Sequence, residues 1–262
     1  MNMHDPFINA ISAAEIKAWE LDAILVVFDF EDNLELKNSM IDEINHSDFD
    51  GVICAVNTPC QLDETITTPL PLVYLNCTNR VDEKNCPCVI IADFLGGYKA
   101  TQYLIEQGYQ DIAMITGEAW SDSTIQRVRG FQQAMTNADY IVNKKWILAG
   151  NWSIKESYCQ TKKLLSGKKI PTAIFCASDL MALGVYQAIA EKGLTIPDDI
   201  AVISYDNQLL ANEITPSLTS IDLPYDDMAR MAVDIILSPN PPELKLIKIE
   251  GELIIRDSVR SL

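Results

Sequence analysis

The stretch Thr172-Ala-Ile-Phe-Cys-Ala-Ser-Asp-Leu-Met-Ala-Leu-Gly184, with its continuation Gly193-Leu-Thr-Ile-Pro-Asp-Asp-Ile-Ala-Val-Ile-Ser-Tyr-Asp-Asn207, decides the fold. Ala173–Cys176 is a short continuous apolar run, the pattern of a strand buried on both faces. Asp179 then opens a helix, and Gly193 supplies the usual glycine stop. A second run, Ala201–Ser204, leads to Asp206, and Pro216-Ser217-Leu218-Thr219 closes the segment. Strand, helix, glycine, strand is the order of a parallel sheet covered by helices.

Working outward, similar runs stand at Ala23–Phe28, Gly51–Ala55, Leu72–Leu75, Val89–Ala92 and Ile112–Ile115. Between most of them lie helical spacings. Phe7–Glu20 carries Phe7, Ile8, Ile11, Ala14 and Ala18 at intervals of three and four, and a helix over Gly96–Gln107 stops at Gly108 before Ile112. Later strands are expected at Thr219–Leu223 and Glu252–Arg256, separated by a helix over Tyr225–Leu237 and the turn Pro239-Asn240-Pro241-Pro242; spacing alone leaves their sheet open.

The chain has 262 residues, enough for one large domain or two smaller ones, each with a proper core. With 37 acidic and 20 basic side chains the net charge is −17, which repels a phosphate backbone. Seven cysteines at 54, 60, 77, 86, 88, 159 and 176 form no paired framework, which suits a reducing compartment. Cys86-Pro87-Cys88 matches neither a redox pair nor half of a usual zinc site, so no metal or other cofactor is expected. The start Met-Asn-Met-His-Asp-Pro-Phe has no basic region followed by an apolar core, and no apolar run reaches the roughly 20 residues needed to span a bilayer. A cytoplasmic location is the expectation.

Catalytic signatures are lacking: no G-x-S-x-G, no phosphate-binding loop, no G-x-G-x-x-G, and neither His4 nor His46 stands near a nucleophile. The chain is expected not to be an enzyme. Candidate binding residues are clearer. Asp206 stands at the carboxyl end of a buried strand, where open α/β sheets bind ligands, although spacing alone fits a turn residue equally well. Arg127, in Thr-Ile-Gln-Arg-Val-Arg-Gly-Phe131, offers a planar permanent cation suited to paired oxygens; Arg129 reads as a surface residue. Trp152 precedes a helix capped by Ser153 and is either a stacking platform or a core residue. Asp93 reads as a helix cap and Gly184 as a close-packing position.

Taken together, the Asp179–Leu183 segment, Tyr205-Asp206-Asn207, the Pro-Ser-Leu-Thr run and the ending Leu253-Ile-Ile-Arg-Asp-Ser258 resemble the effector-binding core of the LacI/GalR transcriptional regulators. The likeness runs over nearly the whole chain. It implies a periplasmic-binding-protein-like type I α/β fold, two doubly wound parallel-sheet subdomains joined by three crossover strands. The implied boundaries are 1–90 plus 223–250 for one subdomain and 91–222 plus 251–262 for the other. It further implies a bacterial, homodimeric sensor in which Asp206, Arg127, Trp152, Asn76, Ser178 and Phe7 line a cleft for a sugar or nucleoside-like effector. Hinge closure on the effector would control operator binding by a helix-turn-helix headpiece. The alternative is a solute-binding protein for sugar uptake, which shares the fold.

The sequence departs from the family in several places. Asn76 and Ser178 stand where family repressors carry Asp and Asn; Ser204 replaces a usual Gly, and Ser220 the second Thr of Leu-Thr-Thr. Ser178 also suits helix capping, and Phe7 also suits a core. Family members carry a headpiece and a first strand before the Asn/Asp-Pro-Phe segment, whereas only Met1–His4 precede it here. The first strand is therefore expected to be missing, leaving a neighbouring sheet edge open.

Overall fold

The computed structural model describes residues 7–30, 33–64, 66–79, 81, 86–239 and 245–260, which divide into two compact units. One is residues 1–91 with 224–249, the other 92–223 with 250–262. Both are α/β, with parallel-dominated sheets.

The first unit contains α1 (Phe7–Glu20), α2 (Leu34–Asn45), β1 (Val52–Leu62), β2 (Leu72–Asn79), β3 (Cys88–Ile91), α8 (Tyr225–Leu237) and β9 (Leu246–Ile249). Its four strands pair in the order β1-β2-β3-β9, all parallel. Helix α8 packs on α1 and on this sheet through Tyr225, Met228, Ala229, Ala232 and Val233. The sheet supplies Val73, Tyr74, Leu75 and Val89 to the core. Strand β1 runs well beyond the expected Gly51–Ala55 because its register shifts: Ala55 faces Leu75 and Cys60 faces Cys77, so residues 56–59 oppose Asn76 alone. Such a bulge hides the period-two pattern from a sequence reading.

The segment Ala23–Phe28, expected as a strand, has no strand structure. Ile24 is 79% exposed, and Val26 and Val27 about half exposed. β-branched composition favours extended backbone, but a strand needs a neighbour to accept its ladder bonds, and none of the described strands pairs with this segment.

The second unit contains α3 (Asp93–Glu106), β4 (Ile112–Thr116), α4 (Asp122–Asn137), β5 (Ile147–Ala149), α5 (Ile154–Leu165), β6 (Ala173–Cys176), α6 (Asp179–Glu191), β7 (Ala201–Asp206), α7 (Leu209–Glu213), β8 (Thr219–Asp222) and β10 (Leu253–Ile254). The strand order is β10-β8-β7-β6-β4-β5. Only β10 runs antiparallel, and it is shorter than the expected Glu252–Arg256. Strands β6 and β7 are fully buried until Asp206, as their unbroken apolar runs require.

The two glycine stops work alike. Gly108 (φ 99°) and Gly193 (φ 75°) are left-handed. In each case the next residue's N–H reaches back across the last turn, Tyr109 to Leu104 and Leu194 to Ile189, satisfying carbonyls the helix leaves open. Helices α1 and α4 end the same way on Asp22 and Asp139, an ending that a search for glycine overlooks. The helix pairs meet at glycines. A Cβ on Gly97 would lie 2.4 Å from the carbonyl oxygen of Arg127, one on Gly130 2.1 Å from that of Phe94, and one on Gly184 2.1 Å from that of Ile154. Gly184 is thus the close-packing position expected of it.

Candidate functional site

In the second unit the strand order reverses between β4 and β6, since β5 lies outside β4 while β6, β7 and β8 extend the other way. The loops after these strands leave the sheet at its carboxyl end, the end where doubly wound sheets hold ligands. They carry Gly117, Trp152, Ala177 with Ser178, and Asp206.

Arg127 lies on α4 with its side chain 5% exposed. Its Nε donates to Asp93 Oδ1 at 2.7 Å, and its Nη1 donates to the Ala177 carbonyl oxygen at 2.6 Å. The guanidinium carbon is 3.6 Å from the centroid of the Tyr205 ring and 5.9 Å from that of Trp152. Its Nη1 stands 3.7 Å from Asp206 Oδ1, beyond hydrogen-bond length. Its Nη2 makes no hydrogen bond among the described residues. Burial works against the charge, but Asp93, Tyr205 and Asp206 outweigh it and hold the guanidinium above its ordinary value. Asp93 therefore has a different role from the expected cap. The N-cap of α3 is Ala92, without a side-chain bond, and the Asp93 carboxylate turns to the buried Arg127, where a counter-charge is worth far more.

Asp206 ends β7 with φ 110°, and Asn207 follows at φ 49°. Non-glycine residues seldom hold such angles, and they cluster at functional sites. Burial pushes the Asp206 carboxyl well above the usual range, against the opposing pull of Arg127; Asp179 and Asp93 push the same way as burial. The turn is held by its neighbours. The Asn207 N–H donates to Ser220 Oγ at 3.0 Å, Asn207 Nδ2 donates to Asp222 Oδ1 at 2.8 Å, and Arg256 Nη2 donates to Asn207 Oδ1 at 2.6 Å.

Beneath this turn lies Asp179, fully buried at the start of α6. Its carboxylate accepts from Ser204 Oγ, from Ser220 Oγ at 2.7 Å and from the Gln208 N–H at 2.7 Å. Burial nevertheless pushes it up to about 6, with these donors and Arg256 pulling the other way. Ser204 and Ser220, two separate departures from the family pattern, thus meet on one carboxylate. Ser178 is the N-cap of α6, its Oγ accepting from the Met181 N–H at 3.2 Å.

Trp152 follows Asn151 in left-handed backbone, at φ 57° and 51° respectively. Its indole lies against Gly117, where a Cβ would come within 2.0 Å of the ring. Ser153 caps α5 as expected, its Oγ accepting from the Glu156 N–H. Two residues were missed by the sequence reading. Ser123 and Thr124, on the first turn of α4, are each 4% exposed, and their hydroxyls have no hydrogen-bond partner among the described residues. Ser123 stands four residues before Arg127 and so shares its helix face; that spacing was the available signal.

In the first unit, Asn76 is 1% exposed and left-handed at φ 61°. Its Nδ2 donates to the carbonyl oxygens of Val56 at 2.9 Å and Asn57 at 3.3 Å, tying down the β1 bulge, while its Oδ1 has no partner among the described residues. Phe7 begins α1, and its side chain lies outside the described residues. Among the described residues no group of three His, Cys, Asp or Glu side chains could hold a metal, and no helix is long and apolar enough to cross a membrane.

This architecture defines a class: a ligand-binding core of the periplasmic-binding-protein-like type I fold. Residues 101–259 match the family described as periplasmic binding protein-like domain. The chain is 34% identical to the HTH-type transcriptional repressor PurR of Histophilus somni strain 129Pt, over 98% of this chain and 78% of that protein. Among solved structures it is similar to a regulatory protein of the LacI family from Chloroflexus aggregans, with 24% identity, a TM-score of 0.84 and coverage of 98% and 94% of the two chains. A transcriptional regulator CelR–cellobiose complex matches with 25% identity, a TM-score of 0.74 and coverage of 98% and 80%. The chain belongs to the LacI/GalR family of transcriptional regulators. It is a ligand-binding regulatory core, and the solute-uptake alternative is set aside.

Proposed function

We propose that Arg127, Asp206, Trp152 and Ser178 of the second unit bind a small polar effector of the sugar or nucleoside class. The observation that carries this reading is the pair Arg127 and Asp206, 3.7 Å apart at the carboxyl ends of the strands. At that distance neither satisfies the other, so the carboxylate keeps acceptor capacity and the guanidinium keeps donors at Nη2. The unpartnered Ser123 and Thr124 hydroxyls add donors, and the Trp152 indole adds a face for a sugar or base ring. Mixed donors and acceptors beside an aromatic face suit a polyhydroxylated or heterocyclic ligand. The cellobiose-bound regulator among the similar structures supports a sugar.

The effector acts by binding one conformational state of the chain better than another; only such a difference can shift the balance. The chain works as a cytoplasmic homodimer without catalytic activity. At net charge −17 these residues are unsuited to a phosphate backbone, so operator contact belongs to a helix-turn-helix outside them.

A thermal-shift panel of sugars, sugar phosphates, nucleosides and purines tests the reading, run on the natural chain, Asp206→Asn and Trp152→Ala. A ligand held at about 100 times its Kd stabilises by about 2.7 kcal/mol. The expected result is a hit that both substitutions weaken at least tenfold. A hit indifferent to both would move the site elsewhere.

A further inference from the structure

Charge is unevenly placed along this chain. Against 37 acidic side chains in the whole, residues 144–169 hold seven of the 20 basic ones and a single acid, Glu156. The fold gathers most of these lysines at one edge of the second unit. Strand β5 lies on one side of β4 and β6 on the other, so the loops that precede β5 and β6 both stand at the amino end of the sheet, flanking Asp111. The first loop closes with a 3₁₀ turn, Lys144–Trp146. The second holds Lys168 and Lys169 and follows α5, whose last turn adds Lys162 and Lys163. This is the end of the sheet opposite to Asp206.

Between the two loops is a groove of about 390 Å³, lined among others by Met135, Ile141, Val142, Trp146, Lys144 and Lys169. Ile141 is 92% exposed, and Trp146 is half-buried. Lys169 Nζ lies 5.8 Å from the centre of the Trp146 ring and 2.6 Å from Asp111 Oδ1, which joins the second loop to the first and neutralises Asp111. Asp139 is the remaining acid of these loops. Lys144, Lys145, Lys163 and Lys168 are exposed and make no ion pair among the described residues.

We propose that this groove is a docking site for an acidic segment of a partner protein, an extended stretch of Asp or Glu that carries one bulky apolar side chain. The apolar side chain seats against Trp146, Val142 and Ile141, and the carboxylates meet Lys144, Lys145 and Lys168 around it. An apolar centre within a charged rim is the usual anatomy of a protein interface. The acid excess of the rest of the chain repels such a partner, so attraction is confined to this edge and fixes the orientation of approach. Nucleic acid fits less well. The groove is lined by lysine point charges and no arginine fork, and the chain's net charge of −17 opposes a long phosphate backbone. A lipid surface also fits less well, because these apolar residues line a hollow and form no continuous apolar helix face. The site stands independently of the effector reading.

The test uses a fluorescein-labelled, glutamate-rich peptide with one central leucine, and a twin with serine in its place. Fluorescence anisotropy should show the leucine peptide binding the natural chain more tightly than its twin, with affinity falling as salt rises. Lys144→Glu and Lys168→Glu should each weaken binding about fivefold. Lys155→Glu, the same change of net charge at the other end of α5, should leave it unaltered. Amide chemical-shift changes on titration should be confined to residues 139–146 and 166–169. No binding, equal affinity for the twin, an equal loss in Lys155→Glu, or shifts centred elsewhere would each overturn the proposal. So would tighter binding of a duplex oligonucleotide or of phosphatidylserine vesicles at these lysines, or self-association of the chain that Lys144→Glu abolishes.

Discussion

The two units share an architecture and differ in the chemistry they bury. The second unit encloses a charged web: Arg127 with Asp93 and Asp206, and Asp179 with two serines and a backbone amide. The first encloses thiols and an amide, Cys77, Cys88 and Asn76, and its described ion pairs lie at the surface. Buried charge is expensive, so a site of this kind must be nearly self-satisfied before any ligand arrives. The second unit can therefore supply a rigid, pre-organised array of charges, while the first supplies softer and less directional groups.

The largest test of this contrast pairs an ion pair from each unit. Arg127→Ala strands Asp93 and Asp206 without their cation and should lower the free energy of unfolding by about 3–5 kcal/mol. Lys17→Ala removes the partner of Asp234, 2.9 Å away at the surface of the first unit, and should cost no more than about 1 kcal/mol. Urea unfolding of both variants measures the difference. Equal costs would break the comparison.

The pH dependence follows next. Burial pushes the Asp179 carboxyl up to about 6, from about 4 in the unfolded chain. Between those values the folded chain keeps a proton that the unfolded chain has released. Stability from this group is therefore fully present below about pH 4 and is lost as pH rises through about 6. The effect amounts to roughly 3 kcal/mol. Asp206, also raised by burial, acts in the same direction. Urea titrations from pH 4.5 to 7.5 should show the natural chain losing stability relative to Asp179→Asn, and parallel curves would remove Asp179 from the account.

The smallest effect compares like with like. Ser153 caps α5 in the second unit and Asn33 caps α2 in the first, each accepting from a backbone N–H three residues on. Ser153→Ala and Asn33→Ala should each cost about 1 kcal/mol by chemical denaturation. A clear inequality would show that one unit tolerates a frayed helix and the other does not.

Much of the fold was legible because it rests on local rules. Helices Phe7–Glu20 and Tyr225–Leu237 and strand Ala173–Cys176 were read to the residue from apolar spacing, and Gly108 and Gly193 marked true helix ends. Strands β5 and β9 were overlooked, since three or four half-buried residues carry too little pattern. Ala23–Phe28 was misread because composition reports a preference for extended backbone, not the presence of a partner. In the second unit Arg127 and Asp206, both singled out from the sequence, stand 3.7 Å apart, whereas Asp93 pairs with Arg127 instead of capping its helix, and the buried hydroxyls of Ser123 and Thr124 carried no signal that was read.

By itself the sequence determined buried strands such as Ala173–Cys176, the helix stops at Gly108 and Gly193, and a net charge of −17. These follow from side-chain hydrophobicity, backbone freedom and net charge, which are properties of neighbours along the chain. The tertiary structure alone decided that Asp93 serves Arg127, that Ser204 and Ser220 converge on Asp179, and that Asn76 ties down the bulge of β1. Each of those pairings joins residues about 20 or more positions apart. Their cause is a buried polar group's need for a partner, which only the folded packing can choose.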